Sequence, residues 1–368
     1  MGTYVANLAR ALVAGAGQWP ELELRLLAGP ANLAAADPVV AGLPVLGTTV
    51  SPESHPRGDL WEHLVLPGRL RAAGVELLHG PAVQVPLRRR GFQTVSTIHD
   101  LVPFTHPETV PRKYVLYMRT LLRLLVRRVD HIIAPSRATR RDLQQVLGVD
   151  PARVSVVPEA AGEGFVRQED PRALERVCRR YGVTRPFVLY LGNLEPRKNL
   201  VRLADAFKRA AARLGGGVQL VIGGRQAWLA GRLRAGWREL AVGREVVFPG
   251  YIEPEDLPGL MSAATVFAFP SLYEGFGLPV LEALACGAPV LTSHCGSLPE
   301  VAGEAALMVD PLDVEQMARA LQRLLSDQEL RGRLRRAGPA RAAEFSWGRA
   351  AAETTAVYQR VLGGEAAA

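Results

Sequence analysis

Short apolar runs rich in β-branched and aromatic residues recur along the chain, separated by stretches whose apolar positions fall at helical spacing. In the first 160 residues the runs lie at 22–27, 44–48, 75–79, 94–98, 131–134 and 154–157. Further on they lie at 187–191, 219–222, 245–248, 266–269, 289–292 and 306–309. Runs without a polar face are those of strands covered on both sides. Helical patterns fill the gaps, notably at 59–73, 112–128 and 137–147. Such alternation predicts mostly parallel sheets with helices on both faces. The opening differs, because Tyr4, Leu8, Leu12 and Val13 share one stripe of a helix. A doubly wound domain begins on a strand, so the first strand of this one is expected to be missing, as it would be from a start assigned too late.

Pro158-Glu-Ala-Ala-Gly-Glu-Gly-Phe165 has the glycines and small residues of a hinge. It divides the chain into a Rossmann-like domain over 1–160 and a second over 161–346, with a last helix at 347–362 expected to pack back on the first. A length of 368 residues suits two domains. No repeat of solenoid length occurs. Two doubly wound domains that face each other hold a ligand between the carboxyl ends of their strands.

Composition changes this picture little. Apolar residues make up 48% of the chain, enough for two cores, yet no run reaches the length of a membrane span. The first ten residues lack the charged leader and cleavage pattern of a signal peptide. Cys178, Cys286 and Cys295 have neither disulfide-framework nor zinc-ligand spacing, so a cytoplasmic location is expected. The net charge of +8 invites a nucleic-acid partner. Lysine stands only at 113, 198 and 208, however, and the 41 arginines beside abundant alanine and glycine read as genome bias. No nucleic-acid signature is present, and no nucleic-acid partner is expected.

Candidate chemistry concentrates in residues 270–291, which read as a strand end, a loop with two glycines, a short helix and the next strand. Pro279 suits the first position of that helix and Gly287 the position past its end. Glu274 falls in the loop and Glu282 in the helix, while Gly275 and Gly277 open the backbone to a ligand at a helix N-terminus that favours anions. Taken alone, the unit also fits an ordinary crossover with two surface glutamates. Gly192-Asn-Leu-Glu-Pro-Arg-Lys-Asn-Leu200 follows another strand and sets Arg197 and Lys198 side by side. Arginine grips phosphate oxygens bidentately and lysine acts as a point charge. The glycines of a dinucleotide fingerprint are lacking, and a charged turn with Asn199 as helix cap is the plainer alternative. In the first half, His99 and Asp100 end a strand, either lining a reaction centre or only shaping a turn. Ser136 reads as an N-cap, and Ser297-Leu-Pro-Glu300 as a capping box that makes Glu300 structural. His294 and Cys295 lack partners at metal spacing. Arg119, Arg123, Arg127 and Arg128 beside Leu121, Leu122, Leu124 and Leu125 fit a core helix with a solvated basic face, or a helix resting on an anionic membrane.

Together, Gly192–Leu200 and 270–310 resemble the retaining glycosyltransferases of family 4, whose architecture is GT-B. The strongest marks are the two glutamates with seven residues between them and Glu-Pro-Arg-Lys-Asn after a strand. Pro249-Gly-Tyr251, Leu298-Pro-Glu-Val-Ala-Gly303 and Phe345-Ser-Trp347 are similar as well. The resemblance implies that Arg197 and Lys198 bind the donor diphosphate and stabilise the leaving group. It implies that Glu274 contacts the donor sugar, with the amides of Gly275, Phe276, Gly277 and Leu278 nearby. Glu282 would hold the ribose, and Tyr251 and Ile252 would lie beside the base. His99 and Asp100 would face the acceptor side, as would Gly2, the end of a glycine loop whose first half is not encoded. The implied activity is transfer of a hexose, with mannose from GDP-mannose the first choice, to a sugar, oligosaccharide or lipid-linked acceptor in polysaccharide or glycolipid assembly. No Asp-x-Asp occurs, so neither cofactor nor metal is expected and the two cations would replace a metal's charge. A sugar-nucleotide epimerase, a glycosyl phosphorylase or a non-catalytic nucleotide-binding protein on the same plan remain the alternatives.

Overall fold

A computed structural model describes residues 2–28, 42–47, 57–83, 85–87, 91–225, 235–237, 239 and 243–364. A strand forms at every apolar run: β1 Leu26–Ala28, β2 Val45–Gly47, β3 Leu77–Gly80, β4 Gln93–Thr97, β5 His131–Ala134 and β6 Val154–Val156 in the first half. The second half supplies β7 Phe187–Leu191, β8 Gln219–Gly223, β9 Val246–Gly250, β10 Val266–Phe269, β11 Val290–Ser293 and β12 Ala306–Val309. Only the end of the run at 22–27 enters a ladder, because its partner β2 is itself three residues long.

Packing divides the chain into two compact units. The first gathers Met1–Leu101, Tyr117–Glu159 and Ser346–Ala368; the second gathers Val102–Leu116 and Ala160–Phe345. Val102–Leu116 thus packs with the second unit, where the His106 ring lies 5.3 Å from that of Tyr273.

In the first unit β3, β4, β5 and β6 pair in that order, all parallel, and β1 and β2 form a separate parallel pair. The opening helix, Gly2–Ala14, buries Tyr4, Leu8 and Leu12, with Asn7 beside them. The last helix, Trp347–Leu362, begins at Ser346, whose hydroxyl accepts from the amide of Arg349. A buried chain of polar side chains fastens that helix to the sheet. The Tyr358 hydroxyl lies 2.6 Å from His79 Nδ1, His79 Nε2 lies 2.8 Å from Thr97 Oγ1, and that oxygen lies 3.1 Å from the Tyr4 hydroxyl. Burial, then the nearby His99 charge, pushes His79 down to about 4, so a neutral ring bridges the two hydroxyls.

In the second unit the strand order is β9-β8-β7-β10-β11-β12, all parallel. This is the doubly wound order, with its reversal between β7 and β10. Phe187, Tyr190, Phe207, Phe267 and Phe269 are fully buried in its core. At such a reversal consecutive connections leave a sheet on opposite sides, and the strand ends there are where doubly wound folds bind ligands.

Candidate active site

The sequence places its two chemistry-bearing loops on the two strands that flank this reversal. Pro196–Lys198 forms a single 3-10 turn after β7, and Asn199 follows with φ +63°. After β10 the chain runs through Glu274 to Gly277, at φ +105°, and enters the helix Leu278–Ala285. Gly296 is required by the same loop. At φ +58°, a Cβ there would lie 2.5 Å from the Glu274 carbonyl oxygen and 3.0 Å from its amide.

Adjacency of β7 and β10 brings four ionised side chains into one buried cluster. Lys198 Nζ donates to Glu274 Oε1 at 2.7 Å, and Arg197 Nη1 lies 2.8 Å from Glu274 Oε2. Arg197 Nη2 donates to Glu195 Oε1 at 2.8 Å, an oxygen 4.0 Å from Lys198 Nζ. Arg197 also donates to the Tyr273 carbonyl, at 2.6 Å, and Lys198 Nζ stands 4.9 Å from the centre of the Phe269 ring. Burial alone would raise the Glu274 carboxyl; Arg197 and then Lys198 outweigh it and hold the group down, to about 2. Burial and the neighbouring Arg197 lower Lys198, against the pull of Glu274 and Glu195. The two cations expected to bind phosphate are therefore each already paired with a carboxylate. Burial of a charge demands such a partner.

Glu282 stands half-buried in Leu278–Ala285, on a helix whose Val280, Leu281, Ala283 and Leu284 are buried. Gly287 takes the place past the helix end expected of it, at φ +67°, while Pro279 stands second in the helix, one position later than expected. Gly275, Phe276 and Gly277 are buried and Leu278 is half-buried. Beyond β9, Ile252 is buried while Tyr251 is exposed, with the Arg225 guanidinium 4.4 Å from its ring centre.

In the first unit His99 ends β4 with both ring nitrogens engaged. Nδ1 lies 3.0 Å from Glu159 Oε1 and Nε2 lies 2.9 Å from the Pro81 carbonyl. A carboxylate and a carbonyl only accept, so both nitrogens donate and the ring is an imidazolium. Burial works against that charge; Glu159, the Pro81 carbonyl and Asp100 outweigh it and raise His99 above its usual range. His99 is a held cation here, with no lone pair for a proton. The Tyr4 ring meets it edge-on at 4.7 Å. Asp100 is half-buried beside it, and Gly2 is exposed at the start of the opening helix, with open space around it.

Two local expectations are corrected, and one holds. Ser136 caps its helix, accepting from the Thr139 amide at 3.0 Å. Ser297 makes no capping box: its hydroxyl lies 3.0 Å from the Glu274 carbonyl and 2.5 Å from that of Phe276, so it braces the candidate loop. Asn199 holds the N-cap position without capping, since its amide donates to the carbonyls of Pro270 and Pro311 at 3.2 and 2.6 Å. It ties the cationic turn to the end of β10. In the helix Arg112–Leu125, Leu122 and Leu125 are buried, whereas Leu116, Tyr117 and Leu124 are exposed beside Arg123. Glu195 and Glu159 were not singled out from the sequence. The one available signal was a carboxylate two residues before Arg197. Among the described residues no three His, Cys, Asp or Glu side chains gather at metal-binding distance.

Residues 1–160 match the model of Glycosyltransferase Family 4, and 179–341 that of Glycosyl transferases group 1. The chain is 32% identical over 314 residues to O-antigen chain mannosyltransferase B of Escherichia coli, covering 83% of this chain and 78% of that one. It is 31% identical to the MMP alpha-(1->4)-mannosyltransferase of Mycolicibacterium hassiacum, covering 75% and 67%. It spans only 35% of the serotype-specific mannosyltransferase WbdA of Escherichia coli, at 31% identity. Among solved structures, sucrose-phosphate synthase from Thermosynechococcus elongatus superposes with a TM-score of 0.75 at 23% identity, covering 98% of this chain and 93% of that one. HepE of Anabaena, solved with UDP and glucose, gives 0.73 at 19%, covering 96% and 95%. These two show the fold, GT-B with two Rossmann-like units. The matches and the 32% identity show that the chain belongs to the family 4 glycosyltransferases.

Proposed function

We propose that this glycosyltransferase moves a mannosyl group from GDP-mannose to an acceptor hydroxyl, retaining the anomeric configuration, in the assembly of a polysaccharide or glycolipid. The observation that carries the donor reading is the Arg197–Lys198–Glu274 cluster at the strand-order reversal, beside the N-terminus of Leu278–Ala285. Breaking the bond from the anomeric carbon to phosphate leaves negative charge on the diphosphate. Fixed cations and a helix N-terminus stabilise that charge without a metal. Glu274 faces the donor sugar, Gly275 to Leu278 offer their amides, Glu282 takes the ribose hydroxyls, and Tyr251 and Ile252 flank the base. With the donor in place Glu274 turns to the sugar hydroxyls, which occupy its oxygens, and Arg197 and Lys198 turn to the phosphates. The leaving phosphate oxygen is then the better acceptor for the incoming hydroxyl's proton. His99, Asp100 and Gly2 belong to the acceptor side. Mannose is favoured by the names of the relatives above.

Among the described residues no helix is long and apolar enough to cross a membrane. A cytoplasmic enzyme touching an anionic membrane surface through Leu116, Tyr117, Leu124 and Arg123 fits the exposed face of Arg112–Leu125. Co-sedimentation with anionic but not zwitterionic vesicles checks this, and equal recovery with both refutes it. The donor reading is tested by a nucleotide-sugar panel read as thermal shift, since a bound donor raises apparent stability by mass action. GDP-mannose is expected to give the largest rise, and transfer is expected to persist in chelator. A larger rise with UDP-glucose, or activity lost to chelator and restored by a metal ion, overturns the corresponding part.

A further inference from the structure

Glu195 has no part in the scheme above, yet it is as deeply set as the residues that do, with 8% of its surface exposed. It precedes Arg197 by two positions, immediately before the 3-10 turn, so its carboxylate is short-tethered to the cation it holds at 2.8 Å. Glu274 occupies Arg197 Nη1 and Lys198 Nζ; Glu195 occupies Arg197 Nη2. Two cations and two carboxylates make the cluster neutral. Such neutrality lets Lys198 stand buried, and Arg197 largely so, before any anion arrives, because an uncompensated buried charge costs several kcal/mol.

The two carboxylates differ in what a donor would do to them. In the reading above, which this inference rests on, Glu274 turns to the sugar hydroxyls and frees its side of both cations for phosphate. Glu195 has no such alternative partner, and the turn Pro196–Lys198 keeps it beside Arg197. We propose that Glu195 is a resident counter-ion of the diphosphate site. It holds Arg197 from the side away from the ligand, cancels one of the two positive charges, and so limits how tightly the nucleoside diphosphate is held once the sugar has gone. A site with both charges uncancelled would bind the diphosphate more strongly and release it more slowly.

The test is direct binding of GDP, UDP and inorganic pyrophosphate to the wild type and to Glu195→Gln, followed by product inhibition in turnover. Glutamine keeps the shape and an acceptor oxygen for Arg197 but removes the charge. Diphosphate binding is expected to tighten on the order of tenfold, with a matching fall in the inhibition constant for GDP. A carboxylate that merely braces the turn predicts the opposite sign, so unchanged or weaker binding overturns the proposal. Glu195→Asp keeps the charge and is expected to bind within about threefold of wild type, a difference of roughly 0.7 kcal/mol. If it binds as tightly as the glutamine variant, side-chain length and not charge is responsible and the proposal fails. Should Glu195→Gln not fold, the aspartate variant decides alone, since binding lost there marks a brace. A wild type that binds none of the three probes overturns the donor reading itself, and this inference with it.

Discussion

At the carboxyl end of β4 one cation, His99, sits between a carboxylate and a carbonyl; past the end of β7 two cations sit between two carboxylates. Both arrangements put ionised groups where parallel strands end, and the same fold rule places them there. They differ in what can discharge them. The cation of the first unit is an imidazolium, which can give up its proton, although its neighbours raise its pKa above the ordinary histidine range. Those of the second are a guanidinium and an ammonium opposed by Glu274, whose carboxyl is held down to about 2. The His99 charge is therefore adjustable by pH, while the charge of the Glu274 cluster is fixed until strongly acidic conditions.

The largest effect expected from breaking this contrast is at the fixed site. Lys198→Ala removes the ammonium nearest Glu274 Oε1 and leaves that oxygen without its 2.7 Å partner. Loss of charge stabilisation on the leaving diphosphate is expected to lower kcat by on the order of 10²–10³, roughly 2–4 kcal/mol in the barrier. Steady-state release of GDP is the measurement. Wild-type turnover in a folded variant would remove Lys198 from the chemistry.

The adjustable site is addressed through its counter-ion. The His99 pKa is raised, so its ion pair contributes fully below the ordinary histidine range and is lost as pH rises through the raised value. Glu159→Gln withdraws the charge that raises it and is expected to move the alkaline limb of kcat/KM to lower pH. Ring-proton NMR of His99 should shift in the same direction. A limb that stays in place would show that activity does not follow His99 ionisation. The opposite sign holds for Glu274. Its folded-state pKa is depressed, so its contribution is present above the ordinary carboxylate range and is lost as pH falls toward about 2.

What could be read in the chain follows from the same contrast. The strands were legible because a strand covered on both faces must be apolar throughout, and runs such as Phe187–Leu191 and Val266–Phe269 have no other economical reading. Arg197, Lys198 and Glu274 were legible as residues at strand ends. Their pairing was not, because 76 positions separate the partners and only the strand order brings them together. Glu159 reaches His99 across 60 positions for the same reason. The Ser297 error was of another kind. Ser-x-x-Glu satisfies the capping-box pattern, but its hydroxyl found the carbonyls of Glu274 and Phe276 instead, and a pattern of side chains cannot reveal which backbone groups fold against it.

The smallest expected effect tests where the fixed site ends. Glu282 is half-buried on a helix whose Val280, Leu281, Ala283 and Leu284 are buried. If it holds only the ribose hydroxyls, it binds the ground state and the transition state equally. Its removal should then raise KM while leaving kcat nearly unchanged. For Glu282→Ala we expect donor affinity to weaken by about tenfold, the worth of one or two hydrogen bonds to a charged acceptor. Donor binding by calorimetry, set beside kcat at saturating donor, separates the two parameters. A fall in kcat at unchanged affinity would instead join Glu282 to Lys198 and Glu274 in stabilising the transition state, and the fixed site would extend into the helix.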